Sequence, residues 1–156
     1  MNGENRLVQT LKEKGLTIST AESLTAGMVS STIVKVPGAS AVFKGGFVTY
    51  ASASKIRILG VPEEVIARKG VISADCAKAM AEGACRAAET EVSIATTGNA
   101  GPDVLEYKPV GRVYIAVCIN GETSVVEHTF SGDRESIRRQ TTNAAIRECE
   151  LRLLQL

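Results

Sequence analysis

Apolar and polar positions along the chain follow two periods, and each change of period marks a predicted element. Strands are predicted, from alternation or short β-branched runs, over 16–20, 41–50, 92–95, 112–119 and 123–130. Helices are predicted, from helical spacing, over 4–14, the stretch after Ser23 through Val34, 54–59, 62–68, 74–88 and the segment that follows Asp133. Asn120-Gly121 predicts a tight hairpin between the last two strands.

This order of elements predicts the fold class. Strands that alternate with helices favour a sheet covered by helices on both faces, and the hairpin requires one antiparallel pair. We therefore expect an α/β fold, namely a three-layer α/β/α sandwich around a mixed, mostly parallel sheet. The 156 residues fit a single domain over 1–156, since no linker or repeat interrupts them.

Composition narrows the possible partners and location. The formal net charge is +1, so no global positive field draws the chain to nucleic acid or to a membrane surface. No apolar run approaches the roughly 20 residues that span a bilayer, and residues 1–15 carry charges where a signal peptide needs an apolar stretch. We expect a cytoplasmic protein. Its four scattered cysteines are expected to be buried free thiols, and helical phase excludes a bridge between Cys76 and Cys85.

The scarcity of histidine limits the possible chemistry. His128 is the only histidine, and it lies in a predicted strand rather than in a loop. A role on the sheet surface is favoured for it, because catalytic groups concentrate in loops at strand ends. Zinc catalysis usually needs two or three histidines. Hydrolysis by this chain would therefore use neither histidine nor a metal, and no cofactor is expected.

Two loops could line one crevice, because ligands of open α/β sheets bind at the carboxyl ends of the strands. They are 21–23 and 97–101. A hydroxyl at a helix N-terminus lies near unpaired N–H groups that favour oxyanion character, although a serine in this position is, taken alone, more often a simple N-cap. Lys55 could be a solvated surface lysine, or a desolvated lysine that acts as a base.

Arg134 and Arg138 lie one helical turn apart at the start of the last helix. Guanidinium groups and the helix dipole together would bind a phosphate there. The alternative is an ordinary solvated face. The residues alone do not separate these two interpretations.

Several ordered motifs resemble the CinA carboxy-terminal domain family. The matching segments are 20–27 (TAESLTAG), 46–50 (GFVTY) with Lys55, 59–61, 70–73, 97–102 (TGNAGP), 108–111 (KPVG), and 132–134 with Ile137 and Arg138. They extend over nearly the whole chain. Stand-alone members of this family include nicotinamide-nucleotide amidohydrolases.

The resemblance implies a three-layer fold, a homodimer, and metal-free hydrolysis of nicotinamide mononucleotide to nicotinic acid mononucleotide and ammonia. Ser23 would be the nucleophile, and Lys55 and Tyr50 would activate or orient it. The substrate-binding residues that it implies are Thr25, Thr97, Gly98, Gly101, Arg134 and Arg138. Within this set, Thr97 and Gly98 would border the oxyanion, and Arg134 or Arg138 the phosphate.

The chain also departs from the family's pattern in the loop after Gly98. Asn99 replaces a usual isoleucine, Val104-Leu105 replace a pair of glycines, and the loop is one residue shorter. Loops of this kind contact the ligand. A second hypothesis is therefore kept, in which the protein binds a nucleotide or small anion without hydrolysing it.

Overall fold

A five-stranded mixed sheet forms the centre of the molecule in the computed structural model, which describes residues 1–156. Its strands are β1 (Ile18–Glu22), β2 (Phe43–Val48), β3 (Val92–Gly98), β4 (Arg112–Ile119) and β5 (Glu122–Thr129). They lie in the order β2-β1-β3-β4-β5. β1 is parallel to both of its neighbours, and β4 is antiparallel to β3 and β5.

Six helices cover the two faces of the sheet. They are α1 (Gly3–Lys14), α2 (Met28–Val34), α3 (Ser52–Leu59), α4 (Glu63–Lys69), α5 (Ala74–Ala88) and α6 (Arg134–Leu154). One apolar cluster joins α1, α2 and α6 to one sheet face, and a second joins α3, α4 and α5 to the other. The predicted three-layer α/β/α architecture is confirmed. None of the helices is both long and apolar enough to cross a membrane.

The topology brings three strand ends to one edge of the sheet. β1, β2 and β3 run in the same direction, so their carboxyl ends at Glu22, Val48 and Gly98 are neighbours. The segments that continue from these ends begin at Ser23, Thr49 and Asn99. Parallel pairing alone therefore places the residues predicted to do chemistry side by side.

The start of α2 differs from the prediction. The helix begins at Met28, five positions beyond Ser23, because Ala26 and Gly27 adopt positive φ angles of 45° and 102° that break helical geometry. The N–H groups of Val29 and Ser30 donate to the carboxylate of Glu22, at 2.9 Å each. Ser23 therefore does not lie at a helix N-terminus, and a carboxylate already occupies this one.

β2 is shorter than the predicted strand over 41–50, because a 3-10 turn occupies Ala39–Ala41. Its register with β1 shifts between Ile18 and Ser19. A Cβ atom on Gly46 would lie 2.5 Å from the Thr20 and Ser30 hydroxyl oxygens. The glycine therefore permits a close approach of β2 to β1 and α2.

All four cysteines are free thiols. Cys76, Cys118 and Cys149 are buried, and Cys85 is half-buried. Cys76 and Cys85 both lie on α5, whose bounds match the prediction over 74–88. The α5 helix begins where the Ser73 hydroxyl accepts a hydrogen bond from Cys76 N–H.

Candidate active site

A cleft opens at the sheet edge where β1, β2 and β3 end. Its volume is about 270 Å³. The residues that line it are Ser23, Leu24, Tyr50, Val71, Ile72, Thr97, Gly98, Asn99, Ala100, Gly101, Pro102, Asp103, Leu105 and Arg134. Most of the residues predicted to form a site therefore lie around one cavity, although Thr25, Lys55 and Arg138 do not line it.

Ser23 and Lys55 form a close polar pair at the floor of the cleft. Lys55 Nζ lies 3.0 Å from Ser23 Oγ. The same nitrogen donates to the carbonyl oxygens of Thr49 at 2.6 Å and Tyr50 at 3.0 Å. The Lys55 side chain is fully buried, whereas Ser23 retains 8% exposure at the cleft. Lys55 is therefore a buried partner of one hydroxyl and not a solvated surface lysine.

Burial lowers the pKa of Lys55, because the ammonium form loses its hydration; Cys76 and Glu106 act in the opposite direction. Burial also raises the pKa of the Cys76 thiol to about 11, so this thiol is neutral at neutral pH. The negative charge that opposes the effect of burial on the Lys55 pKa is therefore the Glu106 carboxylate. No carboxylate forms an ion pair with Lys55, so its neutral amine form becomes accessible.

The neutral amine fits the hydrogen-bond partners of Lys55. A neutral amine has two N–H donors and one lone pair. As an ammonium, Lys55 Nζ donates to Ser23 Oγ and to the Thr49 and Tyr50 carbonyls. In the neutral form the two carbonyls use both donors, which leaves the lone pair directed at the Ser23 hydroxyl proton. This arrangement has the geometry of a nucleophile next to its base.

Glu22 holds the turn that carries Ser23. Its buried carboxylate accepts hydrogen bonds from the Thr25 and Ser30 hydroxyls at 2.7 Å, besides the two N–H groups of α2. Thr25 Oγ1 also lies 2.7 Å from Thr96 Oγ1 on β3. The Thr25 hydroxyl is thus used in hydrogen bonds beneath the cleft and does not line it. Glu22 was missed from the sequence, although an acidic residue between a strand and a helix start was a possible signal.

The two arginines at the start of α6 have different environments. Arg138 donates through Nε to the Leu24 carbonyl at 2.7 Å and through Nη2 to the Thr25 carbonyl at 3.3 Å, so it holds the Ser23 turn from behind. Arg134 reaches the cleft, where it donates to Gly101 O at 2.6 Å and to Tyr50 Oη at 2.8 Å. Arg134 is exposed, and of the pair it alone lines the cleft.

The Thr97 hydroxyl is not free to face a substrate. It donates to the Val71 carbonyl at 2.7 Å. For Gly98, the relevant group is the main-chain N–H. Asn99 N–H donates to Arg112 O on β4, and successive N–H groups of a strand point to opposite edges. Gly98 N–H therefore points toward the other edge of β3, where β1 has ended and the Ser23 turn begins.

Two further N–H groups at the cleft have no partner within the protein. Leu24 and Ala100 line the cleft and are buried, yet neither main-chain N–H donates a hydrogen bond. Buried N–H groups are nearly always paired in folded proteins. Leu24 also directly follows Ser23, the position that supplies an oxyanion donor in enzymes with a nucleophile elbow.

Asn99 shapes the loop above the site. Its Nδ2 donates to Asp103 O at 2.9 Å, and its Oδ1 accepts from Gly101 N–H at 2.9 Å. An isoleucine could make neither bond. His128 is remote from this loop, since it lies on β5 and stacks on Phe130 with ring centroids 4.9 Å apart.

Comparison with known proteins identifies the family. The model of the CinA C-terminal domain matches residues 2–153. The chain belongs to the CinA C-terminal domain family. A CinA-like protein of Dictyoglomus turgidum is 49% identical over 141 residues, which are 89% of this chain and 34% of that relative. A CinA-like protein of Geobacter sulfurreducens is 43% identical over 152 residues, which are 97% of this chain and 37% of that relative. The chain therefore spans about a third of the length of these curated relatives.

Solved structures of CinA superfamily proteins share the fold. One from Klebsiella pneumoniae superimposes with a TM-score of 0.96 at 27% identity and covers 99% of this chain and 97% of its own. The competence/damage-inducible protein of Agrobacterium tumefaciens superimposes with a TM-score of 0.91 at 34% identity and covers 97% and 93%. The CinA fold thus accounts for nearly every residue of the chain.

Proposed function

We propose that this CinA-family protein is an amidohydrolase that converts nicotinamide mononucleotide to nicotinic acid mononucleotide and ammonia. The observation that carries the proposal is the buried Lys55 amine, 3.0 Å from the Ser23 hydroxyl and without a carboxylate partner. An amide is a poor electrophile, so its hydrolysis needs an activated nucleophile and a group that can protonate the leaving nitrogen. The Ser23–Lys55 pair supplies both.

In the first half-reaction, Ser23 Oγ attacks the carboxamide carbon while Lys55 Nζ accepts the hydroxyl proton. A tetrahedral oxyanion forms. The C–N bond then breaks as Lys55 returns that proton to the nitrogen, which leaves as ammonia. The product on the protein is an ester between Ser23 and the nicotinoyl group.

In the second half-reaction, a water molecule takes the place of the ammonia. Lys55 accepts a proton from this water, whose oxygen attacks the ester carbon. The ester C–O bond breaks as Ser23 Oγ recovers the proton from Lys55, and the carboxylic acid that forms loses its remaining proton to solvent and departs as the carboxylate. Lys55 thus serves as base and then as acid in each half-reaction.

The N–H groups at the end of β3 and after Ser23 support stabilisation of the oxyanion. Gly98 N–H and Leu24 N–H approach from two sides of the Ser23 turn, and backbone donors fixed before reaction are effective in a site of low polarity. Thr97 supports the oxyanion site only by its position in β3 next to Gly98, because its hydroxyl already donates a hydrogen bond to the Val71 carbonyl.

The remaining cleft residues support the orientation of the substrate. Ile72 and Leu105 give one wall an apolar surface suited to a pyridine ring. Arg134 lies at the rim with N–H groups available beyond its contacts to Gly101 and Tyr50, so we assign the phosphate to Arg134. Arg138 then acts on the Ser23 turn instead of on the phosphate.

Ammonia release from purified protein tests the proposal. Wild type incubated with nicotinamide mononucleotide is expected to release ammonia, and Ser23→Ala is expected to release none above background. Calorimetry on the Ser23→Ala protein should still detect nucleotide binding. Binding by wild type without ammonia release would instead favour the second hypothesis, a protein that binds the nucleotide without turnover.

A further inference from the structure

A tight turn closes one side of the cleft and is held in an unfavourable conformation. Lys108 N–H donates to Leu105 O at 2.9 Å, and the two residues between them, Glu106 and Tyr107, have φ angles of 54° and 60°. Two successive positive φ angles define a type I′ turn, which normally contains glycine, asparagine or aspartate. Neither Glu106 nor Tyr107 favours this conformation. Contacts outside the turn must therefore stabilise it.

The Glu106 carboxylate provides those contacts. Its two oxygens accept hydrogen bonds from Val71 N–H and Ile72 N–H, at 3.0 Å each. Lys108 Nζ donates to the same carboxylate at 3.2 Å and to Lys69 O at 3.0 Å. These hydrogen bonds connect the turn to the segment that precedes α5. Tyr107 makes no such contact, and its side chain is fully exposed.

Gly70 leaves the space that the Glu106 carboxylate occupies. A Cβ atom there would lie 2.4–2.8 Å from the carboxyl atoms of Glu106. Gly70 also has a φ of 81°, which a side chain would disfavour. The carboxylate therefore packs directly against the backbone of residues 70–72.

The two segments that the Glu106 carboxylate connects both form part of the candidate active site. Leu105 lines the cleft from the turn, and Val71 and Ile72 line it from the segment that Glu106 contacts. The Val71 carbonyl also accepts the Thr97 hydroxyl. One carboxylate thus joins the turn, the cleft wall and the end of β3.

We propose that Glu106 is a positioning residue, which fixes the Leu105 turn against Val71 and Ile72 and so sets the shape of the substrate cleft. Leu105 gives the turn an apolar side chain at the cleft, next to Ile72. Glu106 therefore holds this part of the apolar wall in place.

Amide signals of Val71 and Ile72 in NMR spectra test the hydrogen bonds directly. Partial burial acts to raise the pKa of Glu106, but the N–H groups of Ile72 and Val71 and the Lys108 ammonium outweigh it, so this pKa lies below the ordinary value. The other charged or titratable groups that act on this region are Lys55 and Cys76. Both amide signals are expected to shift together on acidification, with one midpoint below the usual glutamate value of about 4.3.

Variants separate the carboxylate from the rest of the turn. Glu106→Gln should abolish that shared titration, whereas Tyr107→Ala, a matched control on the same turn, should preserve it. Amide signals that do not titrate together in wild type, or that titrate unchanged in Glu106→Gln, would overturn the proposal. This result does not depend on any enzymatic activity.

Binding measures the effect on the cleft, and this part rests on the proposed function. In a Ser23→Ala background, Glu106→Gln and Leu105→Ala should each raise the dissociation constant for nicotinamide mononucleotide about tenfold. Tyr107→Ala should leave it unchanged. An unchanged constant in Glu106→Gln, together with a lost titration, would overturn the positioning role. Wild type that binds the nucleotide but releases no ammonia would instead contradict the proposed function alone, because neither the amide titration nor the dissociation constants depend on turnover.

Discussion

Ser23 owes its position to neighbours that make no contact with the cleft. Glu22 fixes the turn from within the sheet through four hydrogen bonds, and Arg138 fixes it from α6 through two carbonyls. These contacts leave the Ser23 hydroxyl with Lys55 as its side-chain partner. Ser23 is thus held by several contacts while its hydroxyl oxygen remains at the cleft.

Ser23→Ala is predicted to lower the rate of ammonia release by several powers of ten. The change removes one small hydroxyl and leaves the Glu22 and Arg138 contacts intact, so the melting temperature should be close to that of wild type. Steady-state kinetics and a thermal melt check both. More than about a tenth of the wild-type rate in this variant would contradict nucleophilic catalysis by Ser23.

The two arginines are predicted to give different kinetic defects. Arg134→Gln should weaken nicotinamide mononucleotide by about 1.5–3 kcal/mol, the usual value of a charged hydrogen bond, and hardly affect the nucleoside without phosphate. Arg138→Gln should lower kcat for both substrates, because the Leu24 and Thr25 carbonyls lose their guanidinium donor. Equal effects of Arg134→Gln on nucleotide and nucleoside would show that the phosphate binds elsewhere.

At the level of elements, local sequence predicted most helices and strands. Helix α5 was predicted with the correct bounds, because Ser73 is a good N-cap and an alanine-rich stretch follows it. The bounds of α2 and β2 could not be predicted in the same way. They depend on the positive φ angles of Ala26 and Gly27 and on the 3-10 turn over Ala39–Ala41, which the apolar and polar periods do not indicate.

The neighbouring glycines of β2 give a matched prediction about packing. Gly46→Ala should lower the free energy of unfolding by about 1–3 kcal/mol, since its Cβ would displace the hydrogen-bonded Thr20 and Ser30 hydroxyls. Gly45→Ala should leave stability unchanged or raise it slightly, because no atom lies within 4 Å of a Cβ there. Urea denaturation of both variants tests this. Equal destabilisation would show that strand geometry, and not the close approach of Gly46, decides the outcome.

At the level of the whole molecule, the sequence indicated the fold and the family but not which side chains share the cleft. Arg134 and Arg138 looked equivalent because they are one helical turn apart, and only the packing of α6 against the Ser23 turn separates them. For Lys55 the residues alone favoured a solvated surface lysine, whereas the structure buries it completely. The substrate and the association of two copies stay predictions.

Burial of Lys55 is predicted to make stability depend on pH. Its pKa is lower in the folded protein than the value of about 10.4 expected in the unfolded chain. Between these two values the unfolded chain binds more protons, so the free energy of unfolding rises with pH, by at most about 1.4 kcal/mol per pH unit. This contribution is lost as pH falls through the folded pKa. Wild type minus Lys55→Met in urea denaturation should show the rise, and a flat difference would contradict the lowered pKa.

The pH dependence of kcat/KM for nicotinamide mononucleotide tests most directly the central claim that neutral Lys55 activates Ser23. The neutral amine is the reactive form in the proposed mechanism, so kcat/KM should rise with pH and reach a plateau below the ordinary lysine value of about 10.4. The Lys55→Met protein should have no measurable kcat/KM. A rate that is independent of pH, or that continues to rise up to about pH 10.4, would contradict the account.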